Sequence, residues 1–471
     1  VYAGSFYAFC IWIGMGVLAV RDLLVRISKR DNRVMAVVAT LICAVVPTIL
    51  AAQNWDDHDR SHRYVARDIG YNYLESTLPN SIILNFGDND TFPLWYNQEV
   101  ENVRHDVKVM NMSYLGGEWY IDEMRLRSND AAPVPFSLPR EKYTYTNEVI
   151  PIVERFDTPI DIKEAIDFIA SENPHSKIQL VDGSYSDYLP SRRLALPVNK
   201  ENAIASGIVK PEDADLMVDT IYIDISKGKT VIEKSELMFL DLLANFDWKR
   251  PLYFTQVYSL QKFGLIEYLQ FDGYAYRFVP IRTPLKSRYD IIGRIDTEYA
   301  YPLMMNKFRY GNISDPRVYV DYFITYNFNV AHARDSFAAL AKQLVKEGDK
   351  QRAIEVLDTA VMRMPFSQLR YSEISTIPII EAYYEAEGFE KGDSILLDYA
   401  RVLTENIDYY ARFEGDKQYQ VTPVLDDYLQ IYEMLYLTAA RYGRRDVVES
   451  MNGFYRSIGV EEQDLIKLLP Q

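Results

Sequence analysis

The densest run of chemistry-bearing side chains is Asn85-Phe86-Gly87-Asp88-Asn89-Asp90-Thr91-Phe92-Pro93-Leu94-Trp95-Tyr96. Asp88, Asn89, Asp90 and Thr91 supply acceptors and donors suited to a hydroxyl-rich ligand. Trp95 and Tyr96 supply flat apolar faces for a sugar ring or a lipid head group. The competing reading is an Asx-type turn whose aromatic residues simply pack into a core. An EF-hand calcium loop fits less well, because the full pattern of Asp/Asn spacing and Gly ahead of a Glu at position twelve is not met: Phe92 and Pro93 stand where the third acceptor and the Gly belong.

A second cluster, Asp56-Asp57-His58-Asp59-Arg60-Ser61-His62-Arg63, holds two histidines four apart. On a helix that spacing would aim both rings at one metal, but the zincin pattern requires Glu after the first His, and Asp59 stands there. No third ligand lies nearby, so no metal is expected. His58, Asp59, Arg60 and His62 read instead as a solvated cap beside lipid head groups. Gly228-Lys229-Thr230 ends like a phosphate loop, yet Ile223 occupies the place of its first glycine, which leaves a turn between strands. With five histidines in the chain and neither a Gly-x-Gly-x-x-Gly nor a Gly-x-Ser-x-Gly motif, no self-sufficient catalytic set emerges, and the catalytic residues stay unknown.

The elements that must position the first cluster are legible around it. Residues 64–78 repeat apolar positions at helical spacing, and Ser81–Phe86 reads as a buried strand ended by Gly87-Asp88-Asn89-Asp90. Asp106–Met112 reads as a second strand, followed by a short helix near Glu118–Leu126. Further on, Thr220–Ile225 and Pro251–Thr255 read as strands around a helix at Leu237–Phe246. This alternation predicts α/β layering, with ligands gathered at the carboxyl ends of strands. The Tyr/Pro-rich stretches 134–152 and 268–330 read as irregular.

Val1–Val20 and Val34–Ala52 are uncharged and each long enough to cross a bilayer. Between them stand Arg21, Arg26, Lys29, Arg30 and Arg33, which place the connecting loop in the cytoplasm and both the N-terminus and everything after Gln53 on the outer side. Trp55 fits an interfacial belt. The start inside an apolar run looks like a cut through a longer protein. Residues 1–55 carry five basic and two acidic groups; the remaining 46 basic and 65 acidic of the chain's 51 and 67 leave a balance of −19. Phosphate-backbone binding runs on Lys and Arg, so nucleic acid is not an expected partner. Both cysteines, Cys10 and Cys43, lie in the apolar runs, and the acidic body must be held by its hydrophobic core without disulfides.

From Asp335 the pattern becomes helical. With Gly348 at a turn, Phe337, Leu340, Ala341, Leu344, Ala353, Leu357, Ala360 and Pro365 fill the key slots of a tetratricopeptide repeat. A looser unit follows with Ile377, Ile380, Tyr384, Gly388, Leu397 and Ala400, where Asp393 takes the place of the expected Ala, and a third pair runs through 427–457 around Gly443. Such repeats either bind a protein partner or brace their neighbour. The expected fold class is therefore α+β and multi-domain: transmembrane helices over 1–55, an extracytoplasmic α/β domain over 56–330, and a TPR-like all-α domain over 335–471.

Several stretches together resemble one family: Asn54–Ser61, Gly87–Glu101, Arg104 with Asp106-Val107, Trp119-Tyr120-Ile121, Trp248–Thr255, and Tyr268-Leu269 with Gly273–Pro280. It is a family of large bacterial inner-membrane proteins, long labelled a domain of unknown function and classed as protein O-mannosyltransferase-like, GT-C type. The resemblance covers roughly residues 1–285 and corresponds to the C-terminal part of those proteins. Their catalytic carboxylate lies in an outward loop near the N-terminus, so no catalytic residue carries over. The resemblance implies sugar transfer from a polyprenyl-phosphate-linked sugar donor to an exported protein or glycan acceptor, and no cofactor is named. It also implies a bacterial inner-membrane location with residues 56–471 in the periplasm, where this part covers the site or binds the acceptor. The other expectation is a non-enzymatic envelope scaffold that recruits partners through its repeats.

Overall fold

The computed structural model describes residues 3–144, 148–285, 292–321, 330–366, 369 and 375–457. It divides into two compact units, Val1–Arg63 with Arg317–Tyr319, and Tyr64–Pro316 with Val320–Gln471. In the first, α1 (Ala3–Ser28) is followed by α2 (Arg33–Cys43) and α3 (Val45–His58). Asn32 caps α2 by accepting a hydrogen bond from the Met35 amide at 3.3 Å. The break at Ala44 has a local cause: Pro47 has no N–H for the carbonyl of Cys43, four residues back. Phe6, Trp12, Leu18, Leu41 and Leu50 are exposed all round these helices. Two stretches, Gly4–Ser28 and Arg33–Trp55, are long and apolar enough to cross a membrane.

The second unit opens with α4 (Val65–Glu75), β1 (Ile82–Asn85), α5 (Asp88–Glu99), β2 (Lys108–Asn111) and α6 (Glu118–Met124). An insertion then carries β3 (Val149–Pro151), β4 (Ile160–Asp161), α7 (Ile162–Ala170), β5 (Lys177–Gln179), β6 (Tyr185–Asp187), β7 (Arg193–Pro197), α8 (Lys200–Ala205), β8 (Thr220–Asp224), β9 (Val231–Glu233) and α9 (Lys234–Ala244). Gly228-Lys229-Thr230 lies in the turn between β8 and β9. The chain returns through β10 (Leu252–Phe254), α10 (Tyr258–Gln261), β11 (Leu269–Phe271), β12 (Tyr276–Phe278), β13 (Arg294–Ile295) and α11 (Thr297–Pro302).

The main sheet has the order β13-β11-β12-β10-β1-β2. β1 runs parallel to both neighbours, with Ile82 level with Leu252 on one side and Lys108 on the other. Because strand side chains alternate, Ile83, Val109 and Tyr253 face one core with α4, while Ile82, Leu84, Met110 and Phe254 face another with α9. Each fully buried Leu or Ile here is worth about 1.5–3 kcal/mol. The approach of α4 to α5 depends on Gly70, where a Cβ would sit 2.3 Å from the Pro93 carbonyl oxygen. Inside the sheet, buried Asp272 is bonded by Arg277, Tyr253 and Gln270.

The stretches expected to be irregular contain regular structure: β3 falls in the first, and β11, β12, β13 and α11 in the second. Residues 145–147, 286–291 and 322–329 of those stretches lie outside the described residues. The new strands are two or three residues long, too short to carry an alternation of their own; their neighbours in the sheet define them.

The remaining described residues are helical: α12 (His332–Lys346), α13 (Lys350–Arg363), α14 (Thr376–Glu385), α15 (Phe389–Tyr410), α16 (Asp416–Arg441) and α17 (Arg445–Ser457). Gly348 turns α12 into α13 at φ +88°, a conformation a side chain resists. Phe337, Leu340, Ala341, Leu344, Ala353, Leu357 and Ala360 are all buried between helices. Asp393, in the slot where Ala was expected, bonds Arg444 at 2.6 Å and Tyr384 at 2.9 Å. One apolar cluster joins Val65, Ile69 and Tyr73 of α4 to Ala333 and Phe337 of α12 and onward to α17. The helices and the sheet thus share a core.

Candidate functional site

β1 ends at Asn85, and Gly87, at φ +83° and ψ −170°, turns the chain directly into α5. Asp88 to Thr91 therefore form the first helical turn, where the sequence suggested a loop. Parallel strands flank β1 on both sides, and the chain leaves β1 towards β2 but returns on the opposite side at β10. That is the topology at which open α/β sheets form a crevice at the carboxyl ends of their strands.

The helical rotation of about 100° per residue separates the clustered polar residues into two sets. Asp90 and Thr91 point inward and are buried. Asp90 Oδ2 accepts from the Phe86 amide at 3.0 Å and from the Thr255 hydroxyl at 2.6 Å. Burial pushes the Asp90 carboxyl up from its ordinary value, against the pull of those two donors. Thr91 donates to the Gly87 carbonyl at 2.5 Å and accepts from Asn111 at 2.7 Å. These contacts tie the helix start to the strands beneath it.

Asp88 and Asn89 are exposed. Asp88 accepts from the Tyr114 hydroxyl at 2.6 Å, and this bond to a carboxylate holds the phenol above its ordinary pKa. Tyr114 sits just beyond β2, positioned by Asn111, whose side-chain oxygen accepts from the Ser113 and Tyr114 amides at 2.7 and 3.3 Å. Around it stand Trp95 at 6.2 Å, Trp119 at 6.4 Å and Tyr120 at 5.5 Å between ring centroids, with Phe92 at 5.8 Å from Trp95. Trp95 and Tyr114 are half-buried, whereas Phe92 is 52% and Trp119 61% exposed. The result is an aromatic shelf edged by a carboxylate. Its rings can cover the apolar face of a ligand while Asp88 accepts from hydroxyl or amide groups.

The structure brings Asp88 and Trp95 together on this shelf through Tyr114, which the sequence reading passed over. It sets Asp90 and Thr91 below it in the supporting layer. Tyr96 bonds Glu101 at 3.1 Å towards the other end of α5. Tyr114, Asn111 and Thr255 carried no local signal as site residues; only the Trp119-Tyr120 stretch had drawn attention to that side of the sheet.

The two histidines spaced four apart do not share a helical face. His58 is the last residue of α3, with its ring Nδ1 2.9 Å from the Asn54 carbonyl, and His62 lies beyond it at φ +62°. Asp59 accepts from the Ser61 amide at 2.8 Å, and hydrogen bonds from Ser61 lower its pKa. The Arg60 guanidinium lies 4.0 Å from the ring centre of Tyr319. The side chains of Asp56 and Asp57 lie outside the described set.

Residues 66–299 match the family model described as TMEM260-associated domain 2. The match runs from the first turn of α4 to the first turn of α11, so it contains the whole six-stranded sheet and the shelf. No curated protein and no solved structure matches the chain.

Proposed function

We propose that this chain is the acceptor-handling part of a membrane-bound, glycosyltransferase-like protein, with its α/β region at the outer membrane face. TMEM260 is a protein O-mannosyltransferase-like family, and the match over the sheet supports a place in such a protein. Two apolar helices of spanning length, with Arg21, Arg26, Lys29, Arg30 and Arg33 gathered where they join, support the membrane and the orientation. On this reading a polyprenyl-phosphate-linked sugar is the donor, an exported protein or glycan is the acceptor, and the catalytic carboxylate lies outside this chain. The bacterial inner membrane and periplasm remain the proposed setting. The observation that carries the reading is the Tyr114–Asp88 bond, which holds a carboxylate at the edge of exposed aromatic rings at the carboxyl ends of β1 and β2.

The C-terminal helices fit a TPR-like array that braces the sheet, since the shared apolar core supports bracing over a free partner groove.

The test is sugar transfer by the full protein carrying Asp88→Ala, Tyr114→Phe or Trp119→Ala. Transfer falls at least tenfold in Asp88→Ala while the melting temperature stays near wild type, because Asp88 is exposed and its loss leaves no buried group unpaired. Wild-type transfer in all three variants removes the shelf from the function. A cysteine at position 88 should react with a membrane-impermeant maleimide on intact cells; reaction only after lysis would overturn the orientation.

A further inference from the structure

Beneath the shelf lies a row of three polar side chains. Asn85 is level with Asn111 on β2, and Thr255 follows Phe254, which is level with Leu84. Alternation places Asn85, Asn111 and Thr255 on the same face as Ile83, Val109 and Tyr253, under the first turn of α5. The outer two are engaged, Thr255 with Asp90 and Asn111 with Thr91. The middle one is not. Asn85 is fully buried, and neither its Oδ1 nor its Nδ2 bonds a protein group; the Oδ1 of Asp90, itself 7% exposed, is likewise without a protein partner.

Buried polar side chains in folded proteins are bonded, and an unbonded amide N–H with an unbonded carboxylate oxygen five residues on calls for an occupant between them. The donor set defines its chemistry. An anion would meet the Asp90 carboxylate. A cation would meet the positive end of the twelve-residue helix α5. An apolar group would leave all three atoms unmade. A group that both accepts and donates suits an amide N–H beside a carboxylate oxygen.

We propose that Asn85 and Asp90 enclose a position for one neutral hydroxyl oxygen, which accepts from Asn85 Nδ2 and donates to Asp90 Oδ1. That oxygen comes either from a resident water or from the alcohol of a ligand lying on the shelf. The site stands on the strand register and the unbonded atoms, and it holds whether or not the protein transfers sugar.

Asn85→Leu, of similar volume, tests it in the full chain. With a hydroxyl seated, the variant strands Asp90 and melts about 2–4 °C lower, the shift expected from losing one hydrogen bond in a domain of this size. A rise in melting temperature overturns the proposal, because removing an amide that nothing occupies relieves a cost. Crystal structures of the wild-type chain, alone and soaked with methyl glucoside, supply an independent readout. An oxygen within 2.6–3.2 Å of both side chains in the unsoaked crystal assigns the site to water. One found only after soaking assigns it to the ligand alcohol. Its absence from both overturns the proposal.

Discussion

Replacing Arg277 by Met should destabilise the protein more than any change on the shelf. The Asp272 side chain is 0% exposed and that of Arg277 4% exposed, with Arg277 Nε 2.8 Å from Asp272 Oδ2. The same guanidinium donates to Asp272 Oδ1 at 3.0 Å and to the Gly207 carbonyl at 2.7 Å. Met keeps the aliphatic stem but leaves a buried carboxylate with two neutral donors, Tyr253 and Gln270, each at 2.9 Å. Removing one partner of a buried pair costs about 3–5 kcal/mol, because the other charge stays in a medium that cannot solvate it. For a domain of a few hundred residues that is a fall of about 6–20 °C in melting temperature. Thermal unfolding of the full chain in detergent, followed by tryptophan fluorescence, measures it. The diagnostic experiment is the cycle with Asp272→Asn. Once the carboxylate is neutral, the added cost of Arg277→Met should shrink to about 1–2 kcal/mol, that of a lost neutral hydrogen bond. If the two costs simply add, or if Arg277→Met alone costs less than about 1 kcal/mol, the pair does not hold the sheet as argued. β10 and β12 would then owe their order to packing alone.

Two other outcomes follow from the geometry under the shelf. Gly70→Ala drives a methyl group to 2.3 Å from the Pro93 carbonyl oxygen, so α4 and α5 must part; overpacking of this kind costs about 1–3 kcal/mol, and an unchanged melting temperature would refute the close approach. Burial raises the Asp90 carboxyl above its unfolded value of 3.8, so the folded state holds its proton more tightly. Below 3.8 both states are protonated and the penalty vanishes; as pH rises from there through the raised folded value, stability is lost. The melting temperature of Asp90→Asn should therefore gain on that of wild type across this window. A gap that stays constant or narrows there would show that the two donors outweigh burial.

The apolar runs, the paired helices and the longer strands were legible in the sequence, because each is dictated by residues close together in the chain. Two uncharged stretches form apolar helices, the second broken at Ala44 ahead of Pro47. Gly348 between two small-and-large apolar patterns can only be a turn between packed helices. Ser81–Phe86 and Pro251–Thr255 announce buried strands by their composition. The Gly87–Tyr96 cluster was visible too, but the division of its residues was not. Whether an aspartate faces water or the core depends on the helix starting at Asp88 and on what lies beneath: Thr255 and Asn111 reach Asp90 and Thr91 from two other strands. Tyr114 joins Asp88 only because β1 and β2 end level with one another. Asp393 takes an Ala slot because Arg444, from the turn between α16 and α17, meets it. The histidine pair failed as a shared helical face because α3 stops at His58. Local propensity and periodicity are short-range properties of the chain, whereas hydrogen-bond partners and burial are set by strand register and helix packing across many residues, and those only the folded molecule supplies.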